Sequence, residues 1–108
     1  MTYRQLHEFY TGEVAWYSRQ NEFCRNQIDY CTRQLKRQRQ EDRELAAYAL
    51  ESEPDNPLTR RIFGGKYVST ETQKLINERN KYYREIKKNT ARIEHFRKEA
   101  DEIEKYVG

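Results

Sequence analysis

Apolar residues recur at alternating intervals of three and four residues along two long stretches of this chain, and no other feature constrains its fold as strongly. In the first stretch, which contains no proline, the inward positions of the repeat are Tyr3, His7, Tyr10, Val14, Tyr17, Asn21, Cys24, Ile28, Cys31, Leu35, Gln38, Asp42, Leu45 and Ala49. In the second stretch they are Val68, Thr72, Leu75, Arg79, Tyr82, Ile86, Asn89, Ile93, Phe96, Ala100, Ile103 and Val107. Such spacing over more than three heptads is typical of coiled-coil helices. The sequence therefore predicts an all-α-dominated fold, a long antiparallel coiled-coil helical hairpin.

The predicted organisation is a single domain, residues 1–108, with helix 1 over about residues 3–52, a connector over about 53–69 and helix 2 over about 70–107. Thr2 with Gln5, and Thr70 with Gln73, have the spacing of a capping box, in which two side chains satisfy free N–H groups where a helix begins. Helix 1 is the longer helix, so we expect its first turns to overhang helix 2 at the chain termini.

Composition favours elongated helices over disorder and over a thick globular core. Charged residues make up 36% of the chain and hydrophobic residues 35%, which is too polar for a compact globule, whereas disordered chains lack the 13% of aromatic residues found here. No apolar run is long enough to span a membrane, and no signal peptide opens the chain. Cys24 and Cys31 are too far apart on one helix to form a disulfide. We expect a protein of the cytoplasm, without a membrane partner.

Two charged residues occupy inward positions of the repeat, Asp42 and Arg79. A charge in an apolar seam is costly alone and tolerated when it is paired. We therefore expect Asp42 and Arg79 to be neighbours; in the alternative, both side chains reach solvent at the edge of the seam.

The connector admits two interpretations. In one, Gly64-Gly65 forms a tight turn between two short β-strands, since the flanking residues are types that strands favour. In the other, Asn56 caps a short helix that Pro57 opens and Gly64 stops. We favour the β-hairpin, and because an isolated two-stranded hairpin is marginal in water, it implies assembly with other chains.

A long helix, a connector reading Arg61-Ile62-Phe63-Gly64-Gly65-Lys66-Tyr67-Val68 and a second long helix together resemble a β-type subunit of the prefoldin family. The resemblance implies a hetero-oligomer of six small coiled-coil subunits joined through their β-hairpins. It also implies that the ends of the helices bind unfolded client proteins and deliver them to a chaperonin without ATP. The implied assembly residues are Ile62, Phe63, Gly64, Gly65, Tyr67 and Val68. The implied client-binding residues are Tyr3, Leu6, Phe9, Tyr10, Ile103, Tyr106 and Val107; in the alternative, these terminal residues pack on one another or on a second hairpin.

A second row of aromatic residues follows helix 1 at strict seven-residue intervals: Phe9, Trp16, Phe23 and Tyr30. One seam cannot bury both this row and the inward positions. We expect the row to pack against another helix or subunit; the competing interpretation is that it extends the client surface.

Basic residues cluster midway along helix 1, at Arg33, Lys36, Arg37, Arg39 and Arg43, and on helix 2 at Lys81, Arg84, Lys87 and Lys88. Such a belt can contact phosphates, but acidic residues interleave with it and the net charge is only +3, so we do not expect nucleic acid as a partner. His7 and His95 lack metal-ligand spacing, and no catalytic or cofactor motif is present. We expect no enzyme, metal or cofactor. The sequence predicts a prefoldin-like ATP-independent chaperone subunit or, alternatively, a homo-oligomeric coiled-coil scaffold or adaptor.

Overall fold

The computed structural model describes residues 1–52 and 68–107, and these form two long α-helices. Helix α1 spans Tyr3–Ser52 and helix α2 spans Thr70–Glu104. A short turn follows α2, in which the Tyr106 N–H donates to the Ile103 carbonyl (2.9 Å) and the Val107 N–H to the Glu104 carbonyl (3.1 Å). The predicted pair of long helices is confirmed. Helix 1 has the expected bounds, and helix 2 ends three residues earlier than expected.

Both interpretations of the connector, and with them Ile62, Phe63, Gly64, Gly65 and Tyr67, lie outside the described residues. Within residues 1–52 and 68–107 the structure contains no strand. Neither helix there is long and apolar enough to cross a membrane.

A capping box opens α1, as the sequence predicts. The Thr2 N–H donates to the Gln5 side-chain oxygen (2.9 Å), and the Gln5 N–H donates back to the Thr2 hydroxyl (3.1 Å). This reciprocal pair satisfies two N–H groups that have no partner within the helix.

The cap of α2 lies one residue before the predicted one. The Thr72 N–H donates to the Ser69 hydroxyl (3.2 Å), and the Gln73 N–H donates to the Ser69 carbonyl (3.0 Å). Ser69 is therefore the capping residue, and Thr70 is the first residue of the helix.

The chain divides into two compact units: Met1–Ile28 with Lys81–Gly108, called the terminal unit here, and Asp29–Asn80, called the connector unit. In the terminal unit, the Tyr3 and Tyr106 rings stack with their centroids 5.2 Å apart, and the Asn21 amide donates to the Thr90 hydroxyl (3.3 Å). The start of α1 therefore packs beside the end of α2, and the two helices run antiparallel. The predicted overhang of helix 1 at the termini is wrong, because the first turn of α1 already has the last turn of the chain beside it.

In the connector unit the helices also run antiparallel, and Asp42 is located where α2 begins. Its carboxylate accepts hydrogen bonds from the Thr72 hydroxyl (2.7 Å) and the Ser69 hydroxyl (3.1 Å). Arg79, the predicted neighbour of Asp42, is one heptad further along α2, and the two form no ion pair. The predicted pairing is wrong because the hydroxyl groups at the start of α2 satisfy the carboxylate instead.

The buried residues form a thin seam along both units. They are Asn21, Cys24, Ile28, Cys31, Leu35, Ser69, Thr72, Asn89, Ile93 and Ala100. All of them except Ser69 occupy inward positions of the predicted repeats. Among the described residues the core is therefore one layer of side chains between two helices.

Candidate protein-binding surfaces

Aromatic rings of the terminal unit surround Phe96. Its ring lies 5.9 Å from Tyr10 and 6.1 Å from Tyr17, both stacked, and 6.4 Å edge-on from Phe9. Arg92 lies over the Tyr17 ring, 5.2 Å from its centroid. Through this cluster, the first half of α1 packs against α2 in the terminal unit.

The seven predicted client-binding residues all belong to the terminal unit. Leu6, Tyr10, Ile103 and Val107 are half-buried, whereas Tyr3, Phe9 and Tyr106 are exposed. Two of the exposed rings, Tyr3 and Tyr106, stack on each other. Several members of the set thus have partners within the chain, and a role in binding clients stays a prediction.

The second aromatic row remains exposed. Phe9, Trp16 and Phe23, which we call the aromatic face, expose 50%, 47% and 52% of their surfaces in the terminal unit. Tyr30, one heptad further along α1 and in the connector unit, is 51% exposed. The three rings of the aromatic face thus form an exposed apolar row within one unit, and exposed apolar patches often mark interaction surfaces.

Polar residues interleave with the aromatic face at the spacing of a second heptad seam. Glu13 and Gln20 lie between the rings, so that the positions follow intervals of four and three residues, and both are half-buried. A groove runs beside the face, lined by Trp16, Phe23 and Tyr82 together with Gln20, Cys24, Lys81, Glu85, Asn89 and Arg92. The Phe23 ring meets the Tyr82 ring edge-on at 6.2 Å. Aromatic and polar side chains thus alternate along this surface beside the groove.

Of the predicted assembly residues only Val68 is described, and it is exposed. At the neighbouring start of α2, Asp42 accepts a further hydrogen bond from the Gln38 side chain (3.2 Å). Burial acts to raise the pKa of Asp42, but the hydrogen bonds from Thr72, Gln38 and Ser69 together lower it below the usual value. Asp42 is thus held as a charged capping group.

A basic surface lies in the connector unit. A groove beside the seam is lined by Thr32, Leu35, Lys36, Arg39, Arg43 and Arg79, and an adjoining surface by Arg33, Lys36, Arg37, Gln40 and Arg43. The sequence identified the residues of α1 but predicted an ion pair of Arg79 with Asp42, and the structure places Arg79 in the lining of the groove instead. The predicted α2 members of the belt, Lys81, Arg84, Lys87 and Lys88, belong to the terminal unit.

The two thiols lie in the seam. Burial raises the pKa of both Cys24 and Cys31, and nearby Glu85 and Glu78, respectively, raise them further. A thiol is reactive as the thiolate, so these side chains act as small core residues. Among the described residues, no three His, Cys, Asp or Glu side chains are grouped so as to hold a metal ion.

Comparisons of this chain with protein-family models, with curated proteins and with solved structures returned no match.

Proposed function

We propose that this protein is a non-catalytic scaffold or adaptor subunit that binds a second copy of itself through the aromatic face of α1. The observation that carries the proposal is the exposure of Phe9, Trp16 and Phe23 at exact heptad spacing, beside a seam that is already filled. Two helical hairpins that share such a face form a four-helix bundle.

Burial of the aromatic face supplies part of the contact area that association needs. A half-exposed aromatic side chain keeps roughly 100 Å² of surface to bury. Three rings from each copy would then bury about 600 Å² in total, whereas a specific interface usually buries about 1,200 Å² or more. The polar residues of the face and the groove beside it must therefore contribute the remaining area.

A two-fold antiparallel arrangement fits the order of residues on the face. When Trp16 of one copy lies beside Trp16 of the other, Phe9 lies opposite Phe23 of the second copy because both are seven residues from Trp16. Glu13 then lies near Gln20 of the second copy, which can donate a hydrogen bond to it. A self-complementary face of this kind gives a closed dimer.

The test compares the molar mass in solution of the wild-type chain with that of a Trp16→Ser, Phe23→Ser double variant. Sedimentation equilibrium should give a dimer for the wild type and a monomer for the variant, with helix content by circular dichroism unchanged in both at the same concentration. Tyr83→Ser is the matched control, since Tyr83 is 52% exposed in the same unit but lies outside the aromatic face. A double variant that still dimerises like the control would contradict the proposal.

A second candidate is the β-type prefoldin-like subunit of a hetero-oligomeric, ATP-independent cytoplasmic chaperone. This candidate is supported by three exposed aromatic side chains near the place where the first and last turns of the chain meet, Tyr3, Phe9 and Tyr106. Such a subunit would work with other prefoldin-type chains, unfolded clients and a chaperonin. It predicts that the protein suppresses aggregation of a denatured test protein without ATP, and that Tyr3→Ser with Tyr106→Ser weakens this activity. The scaffold proposal predicts no suppression.

A further inference from the structure

Among the described residues that line the groove beside the seam of the connector unit, four are cationic and none is a carboxylate. The cationic residues are Lys36, Arg39 and Arg43 of α1 and Arg79 of α2, and the space they line measures about 290 Å³. Arg33 and Arg37 continue the positive surface along α1. Cationic side chains that line a concave groove raise the positive electrostatic potential inside it.

Arg79 occupies an inward position and is half-buried, and its Nε is buried without a hydrogen-bond partner in the part of the chain that the structure describes. A buried unpartnered donor on a charged group costs free energy that a bound acceptor would recover. The carboxylate that the sequence suggested for this role, Asp42, is already bound to Ser69 and Thr72. Arg79 therefore lacks a counter-charge from the described residues of its own unit.

The other cations of the groove are also available to an anion. The described residues contain one ion pair, Lys88 with Glu85, which lies in the terminal unit. Arg43 donates to the Gln40 side chain (2.9 Å), a neutral partner that leaves its charge uncompensated. In the part of the chain that the structure describes, four positive charges thus line one groove and none of them is paired with a carboxylate.

We propose that this groove binds the phosphate groups of a small phosphorylated ligand. Guanidinium groups present paired N–H donors that match phosphate oxygens, and several of them can share one tetrahedral phosphate. A single carboxylate would leave most of the four charges unmatched, whereas a diphosphate carries enough negative charge to balance them. This site is separate from the aromatic face and does not depend on self-association.

A small ligand fits the site better than a nucleic acid. Acidic side chains at Glu41, Glu44, Glu71 and Glu78 are also exposed on the connector unit, and the whole chain has a net charge of only +3. Nucleic-acid surfaces need a broad basic area that follows many backbone phosphates. Among the described residues of the connector unit, the cations other than Lys74 lie in one groove and the adjoining turns of α1.

The probe is inorganic pyrophosphate, titrated into the full chain at low ionic strength and followed by isothermal titration calorimetry. We expect saturable binding, and we expect Arg39→Gln and Arg79→Gln each to weaken it about tenfold or more, as for the loss of one charge-assisted hydrogen bond. Arg97→Gln is the matched control, because Arg97 is exposed on α2 but belongs to the terminal unit. If Arg79→Gln lowers the helix content, the binding of pyrophosphate is compared in Arg39→Gln and Lys36→Gln instead, and both should bind it more weakly than the wild type.

Three outcomes would overturn the proposal. Pyrophosphate that does not bind at low salt excludes a phosphate site. An equal loss of affinity in Arg97→Gln and Arg39→Gln means that only the overall charge of the chain attracts the anion. A single-stranded oligonucleotide that binds far more tightly than pyrophosphate, with a steep salt dependence, assigns the groove to nucleic acid instead.

Discussion

Replacing Asp42 by alanine should destabilise the protein more than replacing any exposed acid on α1. The Asp42 carboxylate accepts from Thr72 at 2.7 Å, from Ser69 at 3.1 Å and from Gln38 at 3.2 Å. Ser69 and Thr72 are both buried, so water does not readily replace the lost acceptor. The Ser69 hydroxyl also lies 3.0 Å from the Thr72 hydroxyl oxygen. In Asp42→Ala, Ser69 and Thr72 can still hydrogen-bond to each other, so only one of the two hydroxyl groups loses its acceptor.

The expected cost of Asp42→Ala follows from that geometry. A hydrogen bond to a charged acceptor contributes about 1.5–3 kcal/mol net, so the free energy of unfolding should fall by about 2–3 kcal/mol at neutral pH. Asp42→Asn keeps one acceptor oxygen without the charge and should cost about 1 kcal/mol. Asp29→Ala, at an exposed position of the same helix, should change stability by less than about 0.5 kcal/mol.

The stabilisation from Asp42 should also depend on pH. The pKa of Asp42 is lower in the folded chain than its usual value, so the folded state favours the ionised form. Its contribution is therefore fully present above the unfolded pKa of about 4 and is lost as the pH falls through the folded pKa. The difference in stability between the wild type and Asp42→Ala should shrink in strongly acidic solution.

Urea unfolding followed by circular dichroism, at one fixed protein concentration, measures these differences. The reasoning is refuted if Asp42→Ala and Asp29→Ala have the same midpoint at pH 7. It is also refuted if the gap between the wild type and Asp42→Ala widens as the solution is acidified.

Two further predictions concern the helices themselves. A Cβ atom added at Gly12 would meet nothing within 4 Å, so Gly12→Ala should raise the free energy of unfolding by about 0.5–1 kcal/mol; an unchanged urea midpoint would contradict this. Because Cys24 and Cys31 are buried with raised pKa values, a thiol reagent at pH 8 should modify them slowly in the native chain and rapidly in urea; equal rates would contradict their burial.

The sequence predicts the inward positions well because a heptad repeat states directly which face of a helix is apolar. Cys24, Cys31 and Leu35 are buried as expected. Leu45 is an exception, since it is half exposed and lies beyond Asp42, the residue opposite the start of α2. The exposed aromatic face was also foreseeable, because Phe9 and Trp16 repeat on a surface that the first seam cannot cover.

The register was not predictable from the same pattern. Shifting one helix by seven residues returns every position to an equivalent one, so the repeat does not distinguish Thr72 from Arg79 as the residue opposite Asp42. In the structure, the Ser69 and Thr72 hydroxyls at the start of α2 donate to Asp42 and favour the register that places Thr72 beside it. The heptad pattern alone does not indicate these contacts. Sequence reasoning identified the lysine and arginines of this groove on α1 but assigned Arg79 to an ion pair with Asp42, so it did not predict that Arg79 lines the groove.

The central claim, that this chain functions by assembling with a second copy through the aromatic face, is tested most directly by native mass spectrometry of the tagged protein purified from its own cells. The account predicts a homodimer that becomes a monomer in the Trp16→Ser, Phe23→Ser variant. A monomeric wild type would contradict it, and a complex of about six small subunits with other coiled-coil chains would replace it by the prefoldin-like chaperone.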